Sequence, residues 1–327
     1  MTLLAITNKQ TAHLDITQRL AISRRELLRL AVGAGIFVST GGAAMAAANS
    51  SRPILTKPIP RTGESLPVIG LGTWQTFDVG TAQSERAPLR EVLQEFVRLG
   101  GKVIDSSPMY GRSESTVGDL AAELKLEGKL FVATKVWTSG REAGIRQMEE
   151  SFRRLRVKRI DLMQIHNLVD WRTHLTTLRE WKKQGRIRYI GVTHYTASAY
   201  DQLARVLETE ELDFVQLNYS IVEREAEQRL LPLAADRGVA VLVNRPFAQA
   251  QLFSKVRGKP LPAFAAKIGC TSWAQFFLKF VVSHPAVTCA IPATSKVQHL
   301  ADNMQAGIGQ LPAAEIRQRM VEYVADL

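Results

Sequence analysis

From Ile54 onward, short apolar runs alternate with stretches of helical periodicity, with little linker between them. The runs fall at residues 68–74, 102–105, 130–136, 159–166, 187–193, 213–219, 239–243 and 287–291. Near-continuous apolar runs of this length mark strands covered on both faces. Between them, Leu89, Val92, Leu93, Phe96 and Val97 share one helical face, as do Leu175, Leu178 and Trp181. Helices are closed by Gly100-Gly101, Gly128, Gly185 and Gly238, each placed just before a run, where a left-handed cap suits glycine. Eight strands alternating with helices over roughly 250 residues predict an α/β protein, a (β/α)8 barrel of the TIM type. An open doubly wound sheet would begin with a glycine-rich turn. Gly70-Leu71-Gly72-Thr73-Trp74-Gln75 lacks the third glycine of that fingerprint.

Further elements flank the barrel. Lys57-Pro58-Ile59-Pro60 and Arg61-Thr62-Gly63-Glu64-Ser65 predict an N-terminal hairpin, with Gly63 in its turn, closing the barrel floor. The apolar spacing from Pro262 to Val282 predicts one helix. Short C-terminal helices are expected over Val297 to Ala306 and Ala313 to Ala325. A hydrophobic content of 46% supports a full core and excludes a disordered chain. The two cysteines, Cys270 and Cys289, have no metal-ligand spacing and form no disulfide framework. The net charge of +11 favours anionic ligands. No basic run interleaved with aromatics accompanies it, so nucleic acid is not an expected partner.

Polar residues close three successive runs: Asp105 with Tyr110 just beyond it, Lys135, and His166. A buried lysine and histidine need partners, and the aspartate and tyrosine supply them. The four read as a proton-delivery set. The phenol gives the proton, the ammonium lowers its pKa, the carboxylate holds the ammonium, and the imidazole aims a substrate.

The front of the chain carries a different signal. Ser23-Arg24-Arg25-Glu26-Leu27-Leu28-Arg29 precedes a weakly apolar stretch, Leu30 to Ala48, interrupted by glycines and ending in small residues. This resembles a bacterial twin-arginine (Tat) signal peptide over residues 1–48. The resemblance implies passage through the Tat export machinery, cleavage near Ala48, a mature chain beginning near Asn49, no stable membrane insertion after processing, and a periplasmic location.

Seven segments in order carry a second resemblance. They are Ile69-Gly70-Leu71-Gly72-Thr73-Trp74, Ile104-Asp105-Ser106-Ser107-Pro108-Met109-Tyr110-Gly111, Ala133-Thr134-Lys135, Leu162-Met163-Gln164-Ile165-His166, Ile190-Gly191-Val192-Thr193, Val215-Gln216-Leu217-Asn218-Tyr219 and Ile291-Pro292-Ala293-Thr294-Ser295. Residues 54–327 thereby resemble an aldo-keto reductase. The resemblance implies an oxidoreductase that transfers hydride from NADPH to an aldehyde or ketone. Tyr110 would be the general acid, assisted by Lys135, Asp105 and His166. It also implies that NADP(H) is held by Gly72, Thr73 and Trp74, by Thr193, His194 and Gln216 at the carboxamide, and by Thr294, Ser295, Lys296, His299 and Asn303 at the adenosine end. Lys296 is the cation expected at the 2′-phosphate. No metal is implied.

Three departures from the family pattern stand out. Asn244 and Arg245 replace an aromatic that stacks on the nicotinamide and a serine, and Arg245 is expected to reach the pyrophosphate instead. Thr193-His194-Tyr195 stands in place of serine, asparagine and an aromatic. The chain stops soon after its last helix, so an open pocket shaped by Trp74, Met109, Trp137 and the Asn167–Trp171 loop is expected. An alternative reading is a cofactor-holding, redox-sensing or partner-binding barrel with little turnover.

Overall fold

The computed structural model describes residues 53–327, so the segment read as an export signal lies outside the described residues. The chain first forms a hairpin of β1 (Thr56–Pro58) and β2 (Ser65–Pro67), antiparallel, with Gly63 left-handed in the turn. Eight parallel strands follow: β3 (Leu71–Gly72), β4 (Val103–Asp105), β5 (Phe131–Val136), β6 (Ile160–His166), β7 (Ile187–Thr193), β8 (Phe214–Asn218), β9 (Ala240–Asn244) and β10 (Val287–Ala290). Each pairs with its neighbours in sequence order. Bridges from Ile69 to Ala290 and from Gly72 to Ala293 bring the first strand against the last, and the sheet becomes a barrel. The predicted strands are all present. The first is shorter than its apolar run because its ends are held only by these bridges.

Closure of the barrel requires glycine. A Cβ on Gly72 would stand 2.7 Å from the Ile291 carbonyl oxygen, and one on Gly70 would stand 2.9 Å from that of Val103. Any other residue would push the closing strands apart.

Strand geometry sends alternate residues inward. Val103, Phe131, Ala133, Leu162, Tyr189, Phe214, Ala240, Leu242 and Cys289 pack together inside the barrel with Ile59 and Leu66 of the hairpin. The stacked rings of Phe131 and Tyr189, 5.9 Å apart, and the Tyr189–Phe214 edge contact at 5.5 Å fill the floor. The Lys57 ammonium fastens the hairpin there. It donates to the carbonyls of Val282, His284 and Val287 at 2.7–2.8 Å. A larger core of aliphatic and aromatic side chains fills the space between strands and outer helices.

The outer ring contains the expected helices, among them α1 (Gln83–Arg98), which buries Leu89, Val92, Leu93 and Phe96. One expectation is corrected. Residues 262–282 do not form one helix. A 3-10 segment, Ala263–Ile268, ends at left-handed Gly269, and a new helix, Trp273–Val282, starts after Ser272, whose hydroxyl accepts the Gln275 N–H at 3.1 Å. The apolar spacing runs through both pieces because both pack on the same core; the glycine and the serine cap decide the break. Among the described residues, no helix is long and apolar enough to cross a membrane.

Candidate active site

Polar residues replace apolar ones at the upper end of the inward-facing rows. Asp105 lies two residues beyond Val103 on β4, Lys135 four beyond Phe131, and His166 four beyond Leu162. Thr193, Gln216 and Asn244 continue the rows on β7, β8 and β9. Strand register then converts sequence position into one cluster at the C-terminal end of the barrel. Lys135 pairs with Gln164, His166 with Thr193, and Thr193 with Gln216.

The centre of the cluster is an ion pair. Lys135 Nζ donates to Asp105 Oδ2 at 2.6 Å and to the Ser106 carbonyl at 2.7 Å. Asp105 Oδ1 accepts from Gln164 Nε2 at 3.0 Å and from Gln216 Nε2 at 2.9 Å. The carboxylate therefore receives donors from three other strands, which keeps the ammonium facing one direction. Lys135 is wholly buried. Burial opposes its charge, but the Asp105 carboxylate and the Tyr110 phenol outweigh that and raise its pKa.

Tyr110 lies over this ammonium, with Nζ 4.8 Å from the ring centre. Burial raises the phenol above its ordinary value of 10.0. The Lys135 charge pulls the other way, while Asp105 adds to the rise. This corrects the expectation of a phenol made more acidic, because removal from water outweighs the neighbouring cation. The consequence is a phenol that stays protonated at neutral pH.

His166 meets Tyr110 edge-on at 5.7 Å and lies 6.3 Å from the Trp137 ring. Burial first, then the positive charge of Lys135, lowers its pKa to about 2, so the imidazole is neutral. Its Nδ1 lies 3.0 Å from Ser107 Oγ.

A cavity of about 1370 Å³ opens above these groups and runs toward the helix Val297–Gln305. At its mouth Trp74, Met109 and Trp137 are exposed by 42%, 39% and 42%. Gly72, Thr73, Thr193, Gln216 and Arg245 line the cavity, as do Thr294, His299, Asp302 and Asn303. Four polar atoms of residues on its wall are buried without a hydrogen-bond partner among the described residues: Thr76 Oγ1, Asn167 Oδ1, Asn244 Oδ1 and Arg245 Nε. A cavity of this volume, with exposed apolar side chains, uncommitted amide oxygens and a guanidinium on its wall, suits a dinucleotide with a phosphate bridge.

The sequence-derived residues are not all gathered there. His194 is absent from the wall. Its Nδ1 accepts the Thr196 N–H at 3.3 Å, and its ring stacks on Tyr195. Ser295 and Lys296 are exposed and also lie off the wall. Arg245 is on the wall, but its guanidinium already donates to the Tyr195 carbonyl at 2.8 Å and to Glu223 Oε1 at 3.3 Å. Gln216 spends its amide N–H groups on Asp105 and Gln164. Three participants had no role assigned from sequence: Gln164, Ser107 and Glu223. Gln164 was detectable, since it shares the inward parity of His166. Ser107 and Glu223 sit on loops, where no periodicity applies.

A family model described as the Aldo/keto reductase family matches residues 68–319. Methylglyoxal reductase YeaE of Escherichia coli is 29% identical over 259 residues, spanning 77% of this chain and 89% of its own length. The NADH-specific methylglyoxal reductase of the same organism is 31% identical over 243 residues, spanning 64% and 72%. An aldo/keto reductase from Klebsiella pneumoniae, solved in complex with NADP and acetate, superposes with a TM-score of 0.66. It is 25% identical, covering 80% of this chain and 93% of that one.

Proposed function

The chain belongs to the aldo/keto reductase family, and on that premise we propose that it reduces a small aldehyde or ketone with NADPH, using Tyr110 as the proton donor. The observation that carries this reading is the convergence of Tyr110, Asp105 and His166 on the wall of one cavity, with Lys135 buried and locked to Asp105 at 2.6 Å. When bound, the nicotinamide supplies a hydride to the carbonyl carbon. Everything else falls to side chains. The neutral His166 ring hydrogen-bonds the carbonyl oxygen and so orients it. As negative charge grows on that oxygen, Tyr110 transfers its proton there, leaving alcohol and phenolate. The Lys135 ammonium, held in place by Asp105, lowers the free energy of that phenolate. Solvent returns the proton to the phenol.

Gly72, Thr73, Trp74, Thr193 and Gln216 line the nicotinamide end in this reading, Arg245 the phosphate bridge, and Thr294, His299 and Asn303 the adenosine end. Lys296 serves the 2′-phosphate only by reaching in from the surface. Related chains act on methylglyoxal, and the apolar, open mouth accommodates carbonyls of that size. We further propose that the barrel is exported through the twin-arginine route and carries its cofactor with it, since that route takes folded proteins.

The test is Tyr110→Phe. NADPH consumption with methylglyoxal and other small aldehydes should fall about 100-fold or more, the scale of a general acid. Cofactor binding, read by nicotinamide fluorescence, should persist. Near-normal turnover in the variant would overturn the assignment. Bound cofactor with no carbonyl-dependent oxidation in the wild type would replace the reductase with a cofactor-holding barrel.

A further inference from the structure

Ser107 is fully buried on the loop between β4 and Tyr110, and nothing in the reduction scheme uses it. Its hydroxyl oxygen has two polar neighbours among the described residues: the Met109 backbone N–H at 3.4 Å and His166 Nδ1 at 3.0 Å. A backbone N–H can only donate, so the oxygen accepts there. The hydroxyl proton then has one place to go, the Nδ1 lone pair of His166. The opposite arrangement, with Nδ1–H donating, would make the oxygen accept twice and leave the buried O–H without an acceptor.

We infer that Ser107 is a positioning residue that fixes His166 as the Nε2–H tautomer and so presents the ring's single N–H to the cavity. No described residue bonds to Nε2, and His166 lies on the cavity wall, its ring set between Tyr110 and Trp137. The other tautomer would aim a lone pair at an incoming carbonyl oxygen and repel it. The role in catalysis rests on the reductase reading; the tautomer itself does not.

Imidazole-nitrogen NMR of the isotope-labelled full-length protein decides the matter, with the His166 signals identified by their loss in His166→Gln. Wild type should show a bare Nδ1 and a protonated Nε2. In Ser107→Ala the two tautomers should both be populated, and kcat should fall about 10- to 100-fold, the scale on which a partner orienting an imidazole acts. NADPH affinity should be unchanged. Ser107→Thr, which keeps the hydroxyl, should restore the Nε2–H form. A protonated Nδ1 in wild type overturns the inference, even if Ser107→Ala does not fold. An unchanged tautomer in Ser107→Ala overturns it as well. A protein that reduces no carbonyl but shows the expected tautomers in both forms refutes the reductase reading and leaves the assignment of Ser107 standing.

Discussion

The Lys135 ammonium lies 2.6 Å from the Asp105 carboxylate, and solvent reaches almost none of either side chain, 0% and 3% respectively. A pair this deep is retained because each charge needs the other; alone, either would be uncompensated in a low-dielectric interior. Three donors meet the carboxylate: the ammonium's own and those of Gln164 and Gln216.

Removing one partner should therefore harm more than removing both. Lys135→Met is expected to destabilise the barrel by about 3–5 kcal/mol, because Asp105 is left as a buried lone charge. Adding Asp105→Asn should recover most of that loss in urea denaturation, while reductase activity stays absent in single and double variants alike. A double variant no more stable than Lys135→Met would show that the pair is not coupled in this way.

The pH dependence follows from two opposite shifts. His166, with its pKa lowered to about 2, does not titrate between pH 5 and 8 and gives the reduction rate no acidic limb there. Tyr110, raised above 10.0, keeps its proton at neutral pH, so the rate should decline only in the alkaline range. A rate that halves near pH 6.5 would contradict the buried, neutral imidazole.

Stability carries the same signature. The folded pKa values of His166 and His284 lie below the ordinary 6.5, at about 2 and about 4. Below pH 6.5 the unfolded chain binds protons that the folded chain refuses, so stability is full above that pH and falls on acidification. His166 contributes a slope of up to about 1.4 kcal/mol per pH unit. His284, being half-buried, adds less. Urea midpoints measured from pH 7 down to 5 should decline, and His166→Gln should flatten the decline.

Arg245 bridges the Tyr195 carbonyl and Glu223 across the cavity wall, with its Nε still free. In Arg245→Ala, NADPH affinity should drop about tenfold, the equivalent of one charge-assisted hydrogen bond. The wild-type affinity should also weaken with added salt more than that of the variant. Equal affinities would assign Arg245 to loop closure alone.

The export proposal has a direct check. Replacing Arg24 and Arg25 with lysine should leave the full-length protein in the cytoplasm, whereas the wild type should appear in the periplasm, shortened to begin near Asn49. Periplasmic accumulation of both would exclude the twin-arginine route.

Alternation along the chain determined the barrel: short doubly covered strands, helices closed by Gly100, Gly185 and Gly238, and a hairpin turning at Gly63; the expected stop at Gly128 is instead made by left-handed Lys125, just after the helix Ser113–Glu123. Inward parity also determined that Asp105, Lys135, His166 and Gln216 end on one surface, because side chains two residues apart on a strand must share a face. Tertiary structure alone decided what those residues experience. That Gln164 and Gln216 both bind Asp105 depends on the register between strands, which no single segment encodes. The upward shift of the Tyr110 phenol depends on how much water the assembled barrel excludes, which charge-counting along a sequence does not measure. The placement of Lys296 and His194 off the cavity wall depends on loop paths, and the division of residues 262–282 at Gly269 on local caps that override apolar spacing. Periodicity is a local property of the chain. Register, burial and dielectric arise only when distant segments meet.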